Sequence, residues 1–390
     1  MLVKGCLTYE GFNMIFNYYE NSLTITILIF SFLFIFIFYC RNKYDSYILT
    51  IIFLWHTIFS IFYCFFTLYN VSDALGYFKN SYLVEPVFSP GTKFIYYITS
   101  ILTKYISDSY LNITLIYGFF GTLGLIFFYL SIKSYLKQLS GYWTLILFIP
   151  SMSFWSSGLG KDSISFFSVC LFLYAISSNK KNYIFVPISF VSMFMVRPHI
   201  ALMMIVSFVI YFILRSRVHL LVKLITLPVI IVGVVVSSGF VQQYVGLDEA
   251  SIDSIGSYVD DRQNSNQGGG SSLDLQSMSY PMQMFTYIFR PLPFDAHSAL
   301  ALFTSIENSI LVILFLYILF KNKFRMRSFI EGRHTWLFIY AFLTCSMLAI
   351  TTANLGIATR QKWMFMPIFL YLIIYAFCQY KKSKNFIRMK

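Results

Sequence analysis

Residues 22–40 read SLTITILIFSFLFIFIFYC, 19 positions without one formal charge. A run of about 20 apolar residues is what a helix needs to cross the hydrocarbon core of a bilayer. In that core only a helix or a closed barrel satisfies its own backbone polar groups. Working outward from this span, ten further apolar stretches fall at approximately 47–69, 111–132, 142–157, 163–178, 183–197, 199–214, 220–238, 299–320, 335–352 and 363–379. The pattern predicts an all-α, polytopic integral membrane protein with about eleven transmembrane helices. The whole chain, 1–390, reads as a single membrane domain.

Composition supports this reading. Hydrophobic residues make up 58% of the chain and charged residues 12%, against about a quarter charged in soluble domains. Six cysteines, Cys6, Cys40, Cys64, Cys170, Cys345 and Cys378, form no CxxC or Cys/His spacing, so no disulfide framework, metal or other cofactor is expected. No small-residue cleavage site follows the first span, and no cleavable signal peptide is expected.

The one long polar segment is 239–298. It holds Gln263-Asn264-Ser265-Asn266-Gln267-Gly268-Gly269-Gly270-Ser271-Ser272, a linker by composition, and closes on Arg290-Pro291-Leu292-Pro293-Phe294-Asp295-Ala296-His297. Between the second and third spans, 70–110 forms a first loop. There Phe94, Ile95, Ile98, Ile101, Leu102 and Tyr105 recur near helical spacing and predict an interfacial helix over 92–107.

Lysine and arginine set the orientation. With the tail after residue 379 in the cytoplasm, 19 of the 29 basic residues lie inside. The net charge of +13 is therefore read as membrane orientation, and no nucleic-acid partner is expected. Both long loops then lie outside. The prediction is that reporter fusions after Lys43, Lys137, Lys181, Arg217, Arg327 and Lys384 report cytoplasm and one at Gly269 reports the outer side. A cytoplasmic signal at Gly269 would overturn this topology.

That orientation puts five polar clusters on one face: Asp73 with Glu85, Gly160-Lys161-Asp162, Arg197-Pro198-His199, the Arg290–His297 run, and Asn354 through Lys362. Together they predict one outward-facing site. Arg197, Arg290 and Arg360 each border a span, where a charge needs protein or a polar cavity around it. A guanidinium fork suits phosphate oxygens, and snorkelling to the interface is its plainer use.

Lys161 and Asp162 are read either as a solvated turn or as a phosphate cation with a carboxylate that orients it or a neighbouring arginine. His199 and His297 could serve as general base and orienting group, with Asp295 near His297 in sequence. Asp73 could act as a base or as a helix N-cap. Glu307, inside an apolar span, is a functional candidate by position, with an outer arginine as its expected partner. Asn354, Arg360 and Lys362 complete the substrate-binding set.

The plan of about eleven spans, a dominant outer loop in the second half, arginines beside outer span ends, and the run Asn354-Leu355-Gly356…Arg360-Gln361-Lys362-Trp363…Pro367 resembles bacterial polysaccharide polymerases of the O-antigen polymerase (Wzy) type. The resemblance covers most of the chain in architecture and a few short stretches in motif. It implies a fold like that of membrane lipid-sugar glycosyltransferases, in the bacterial inner membrane with the active face outside. It implies polymerisation of undecaprenyl-diphosphate-linked oligosaccharide repeats without a nucleotide sugar, with Arg360 binding diphosphate. The implied partners are lipid-linked donor and acceptor glycans, membrane lipids, a chain-length regulator and a flippase. One pattern departs: some members carry an arginine and a glycine separated by ten residues in two outer loops, and here Phe208 and Ala301 stand at the glycine positions after Arg197 and Arg290. The rival readings are a glycosyltransferase using polyprenyl-phosphate sugars and a lipid-linked oligosaccharide flippase.

Overall fold

The computed structural model describes residues 18–83, 85–178, 180–215, 219, 223–226, 228, 260–261, 263, 272–296, 298–324 and 329–388. Among these the chain is helical, and the one extended pairing is an isolated bridge between Ser272 and Asn354. Six helices are long and apolar enough to cross a membrane, or seven if one bent pair counts as a single span. The chain is thus a polytopic membrane protein. It divides into two compact units, one formed by 1–130, 144–171 and 187–197, the other by 131–143, 172–186 and 198–390.

The first unit begins with α1 (Tyr18–Tyr39) and α2 (Lys43–Tyr69). Arg41 and Asn42 separate them, and Asn42 starts α2 because its side chain accepts the Asp45 backbone N–H at 3.0 Å. Then come α3 (Asp73–Asn80), α4 (Thr92–Tyr105) and α5 (Tyr110–Leu136), whose last residues belong to the second unit. The helix expected over 92–107 is therefore present as α4, with Ile95, Thr99 and Thr103 buried and Ile101 and Tyr105 exposed. Ile25, Ile29, Phe30, Leu33 and Ile37 of α1 are also exposed, as befits a helix facing lipid.

Association of these helices cannot rely on excluding water, since lipid is as apolar as leucine. Close packing and interhelical hydrogen bonds take over. Glu20 of α1 accepts from Asn112 of α5 at 2.8 Å and from Ser107, while Thr24 donates to the Asn112 oxygen at 2.5 Å. Tyr129 of α5 donates to Asp45 of α2 at 2.6 Å. His56 of α2 is fully buried, with its ring nitrogens 3.0 Å from Ser156 and 3.1 Å from Thr122. Gly121 lets α5 approach this group: a Cβ there would collide with the Ser156 carbonyl and the His56 ring.

The stretch expected as a span over 142–157 is broken. A 3-10 turn, Gly141–Phe148, gives way to α6 (Pro150–Ser156), because Pro150 has no N–H to continue a helix and is suited only to starting one. The stretches at 163–178 and 183–197 form α7 (Lys161–Ser177, 17 residues) and α8 (Phe185–Val196, 12 residues), both shorter than the six long helices. The stretch at 220–238 and most of 239–271 lie outside the described residues.

The second unit holds α9 (Pro198–Arg215), α10 (Tyr280–Phe289), α11 (Ala299–Lys321), α12 (His334–Thr351), α13 (Leu355–Gln361) and α14 (Met366–Arg388). Its centre is α12, which packs on α9 and α10. Trp336 of α12 donates to Ser207 of α9 at 3.2 Å and is ringed by Phe172, Phe208 and Tyr211. A 3-10 turn, Lys362–Met364, and a 62° bend join α13 to α14.

Candidate functional site

A polar group in the second unit grows from the C-terminal end of α10. Arg290 caps that helix and is followed by a cis peptide to Pro291. The chain then turns through Pro293–Asp295, and the Asp295 carboxylate comes back onto the arginine. One oxygen accepts from Arg290 Nε at 2.9 Å and from the Leu292 backbone N–H at 2.8 Å, and the other accepts from Nη2 at 2.5 Å. This two-point pairing fixes the guanidinium plane and holds its pKa above the ordinary arginine value, chiefly through the hydrogen bonds. About a fifth of the arginine side chain stays exposed. Asp295, noted for its nearness to His297 in sequence, pairs with Arg290, and His297 lies outside the described residues.

Behind this turn is a buried set on α11. Asn308 Nδ2 donates to the Pro291 carbonyl at 3.0 Å, and Asn308 Oδ1 accepts from Lys362 Nζ at 2.6 Å. Both side chains are 0% exposed. Glu307 is buried next to Asn308 in the same helix, and the Lys362 ammonium lies 5.4 Å from the centre of the Trp363 ring.

One expectation changes here. Lys362 was placed in direct contact with substrate, but it is enclosed by protein and grips Asn308. A hydrogen bond to the amide oxygen offsets part of the cost of burying this ammonium.

Asn354 and Arg360 stand at the two ends of α13. Asn354 is its N-cap, with the side-chain oxygen accepting from the Gly356 and Ile357 backbone N–H groups at 2.9 and 3.2 Å. That oxygen thus has a structural role as the cap of α13. Arg360, in the last turn, is half-buried. The extended residues 272–275 brace this element, with the Leu273 N–H donating to the Ala353 carbonyl at 2.9 Å and Leu273, Leu275 and Leu355 packed together. Counting Arg290, Lys362 and Arg360 against Asp295 and Glu307 leaves one net positive charge.

The first unit has its own charged group at the start of α7. Arg197, 6% exposed, donates from Nη2 to Asp162 at 2.6 Å. Its buried Nε has no hydrogen-bond partner among the described residues. Lys161 Nζ donates to Thr92 Oγ1 at 2.7 Å. The plain reading of Lys161-Asp162 as a solvated turn therefore fails, because both charges bind neighbours inside the fold. Gly160, at φ +147°, makes the turn into α7.

Asp73 is the exposed first residue of α3, and the capping position belongs to Ser72. His199 is the half-buried second residue of α9.

No protein-family model, curated protein or solved structure matches the chain. The functional reading therefore rests on the residues themselves. Sequence reasoning missed Asn308 and Thr92. Asn308 had a visible signal, as half of a Glu-Asn pair in the apolar helix 299–321; Thr92 had none, because its partner is 69 residues away.

Proposed function

We propose that this protein is a membrane glycosyltransferase of the polysaccharide-polymerase kind, joining oligosaccharide repeats carried on a polyprenyl diphosphate at the outer face of a bacterial inner membrane. What supports this reading is Arg290, held at two nitrogens by Asp295 and backed by the buried Asn308–Lys362 pair, at the end of an apolar helix. In this reading the short segments at 142–157, 163–178, 183–197 and 220–238 complete about eleven spans, and 239–298 is the main outer loop.

In the transfer, a hydroxyl oxygen of the acceptor repeat attacks the anomeric carbon of the donor. The bond from that carbon to the diphosphate oxygen breaks, and the lipid diphosphate departs with the electron pair. The hydroxyl proton passes to an imidazole, for which His199 and His297 are the candidates. Arg290 and Arg360 face charge that grows as the diphosphate leaves. Fixed donors are worth most against such developing charge, because they need no rearrangement at the moment of reaction.

The test uses the full chain in liposomes with a lipid-linked repeat. The expected result is a ladder of longer glycans with one polyprenyl diphosphate released per bond formed. Transfer only from a polyprenyl-monophosphate sugar would replace this reading with the first rival. Movement of the lipid-linked glycan across the bilayer with no new glycosidic bond would replace it with the flippase.

A further inference from the structure

We propose that Asn308 is the positioning residue of the arginine site, its one side-chain amide setting the separation between the turn that carries Arg290 and the helix that carries Arg360. The inference rests on the diphosphate reading above. Asn308 Nδ2 holds the carbonyl of Pro291, the residue after Arg290, at 3.0 Å. Its Oδ1 holds Nζ of Lys362, two residues beyond Arg360, at 2.6 Å. Both candidate arginines are thus within two residues of a group bonded to the same buried amide.

Few side chains can do this. A neutral amide presents a donor and an acceptor at one tip, whereas a carboxylate has only acceptors and an ammonium only donors. Burial sharpens the constraint, since a fully satisfied polar network out of contact with water admits one arrangement and penalises the others. Asn308 carries no charge of its own and so acts as a neutral spacer between the Pro291 carbonyl and the Lys362 ammonium. Two arginines at a fixed separation engage both phosphates of a diphosphate, while a monophosphate fills only part of that span.

Selectivity for diphosphate is therefore what Asn308 controls. The experiment measures the affinity of the full-length protein in detergent for farnesyl diphosphate and for farnesyl monophosphate, together with its melting temperature. Wild type is expected to prefer the diphosphate by at least about tenfold, as misplaced binding groups forfeit factors of this size. Asn308→Leu, which removes both hydrogen bonds, is expected to bring the two affinities within about twofold of each other.

Asn308→Gln keeps both functions on a longer stem. It is expected to melt near wild type and to keep only part of the preference, so the test survives if the leucine variant fails to fold. A purely structural role predicts another pattern, in which fewer molecules bind and the ratio between ligands stays at the wild-type value. That unchanged ratio, in either folded variant, would overturn the inference alone. Failure of wild type to bind either isoprenyl phosphate would overturn the diphosphate reading, and this inference with it.

Discussion

Replacing Arg360 or Arg290 by alanine is expected to abolish long-chain glycan, leaving single repeats on the lipid carrier while the protein still reaches the membrane. Loss of one preorganised donor to a developing anion costs about 10²- to 10³-fold in rate. A chain-extension process repeated many times turns such a factor into disappearance of the upper ladder. Lysine in place of either arginine restores the charge without the planar fork, so Arg→Lys should recover only part of the activity.

The two positions differ in one respect. Arg290→Ala also leaves the Asp295 carboxylate, 8% exposed, without the arginine that pairs with it. Arg290→Lys and Arg360→Ala are therefore the cleaner variants. A membrane-fraction blot beside the glycan ladder separates the causes. Full-length ladders from Arg360→Ala and Arg290→Lys at normal abundance, with lysine and arginine equivalent throughout, would identify these side chains as snorkelling anchors and sink the diphosphate clamp.

Asp162→Ala is expected to destabilise the first unit by about 3–5 kcal/mol, the usual cost of leaving one member of a buried ion pair uncompensated. Arg197 is the residue left behind, with 7% of its side chain exposed and Asp162 as its ion-pair partner. The consequence should be a large fall in abundance and in the melting temperature of the detergent-solubilised protein.

The paired replacement Arg197→Met with Asp162→Leu removes both charges and keeps apolar volume, and such exchanges are often neutral or better for stability. It should restore abundance. If Arg197 serves only the fold, the rescued protein will also make polymer. If its Nε, without a hydrogen-bond partner among the described residues, belongs to an anion site, the rescued protein will be stable and inactive. A wild-type melting temperature for Asp162→Ala would show that the ion pair contributes little and remove the basis for both outcomes.

The sequence alone determined that this chain is helical and lies in a membrane, because long uncharged stretches leave the backbone no other way to satisfy its polar groups. It also located α4 from apolar spacing and picked out Arg197, Asp162, Arg290, Asp295, Glu307 and Lys362 as charges in unusual company. Span continuity was less legible. Hydropathy sums over 142–157 without seeing that Pro150 breaks the hydrogen-bond ladder, and it passes over the bend after Met364 for the same reason: composition records how apolar a stretch is, not whether one helix runs through it.

Partners were legible only in part. A neighbouring arginine was one reading of Asp162, and Arg197, 35 positions along the chain, is that arginine; the pairing of Asp295 with Arg290 and of Lys362 with Asn308 was not visible. Which donor meets which acceptor depends on how the helices pack and where their turns point. Only the tertiary structure carries that, because a buried charge takes whichever compensating group the packing brings within about 3 Å of it, however far away that group stands in the sequence.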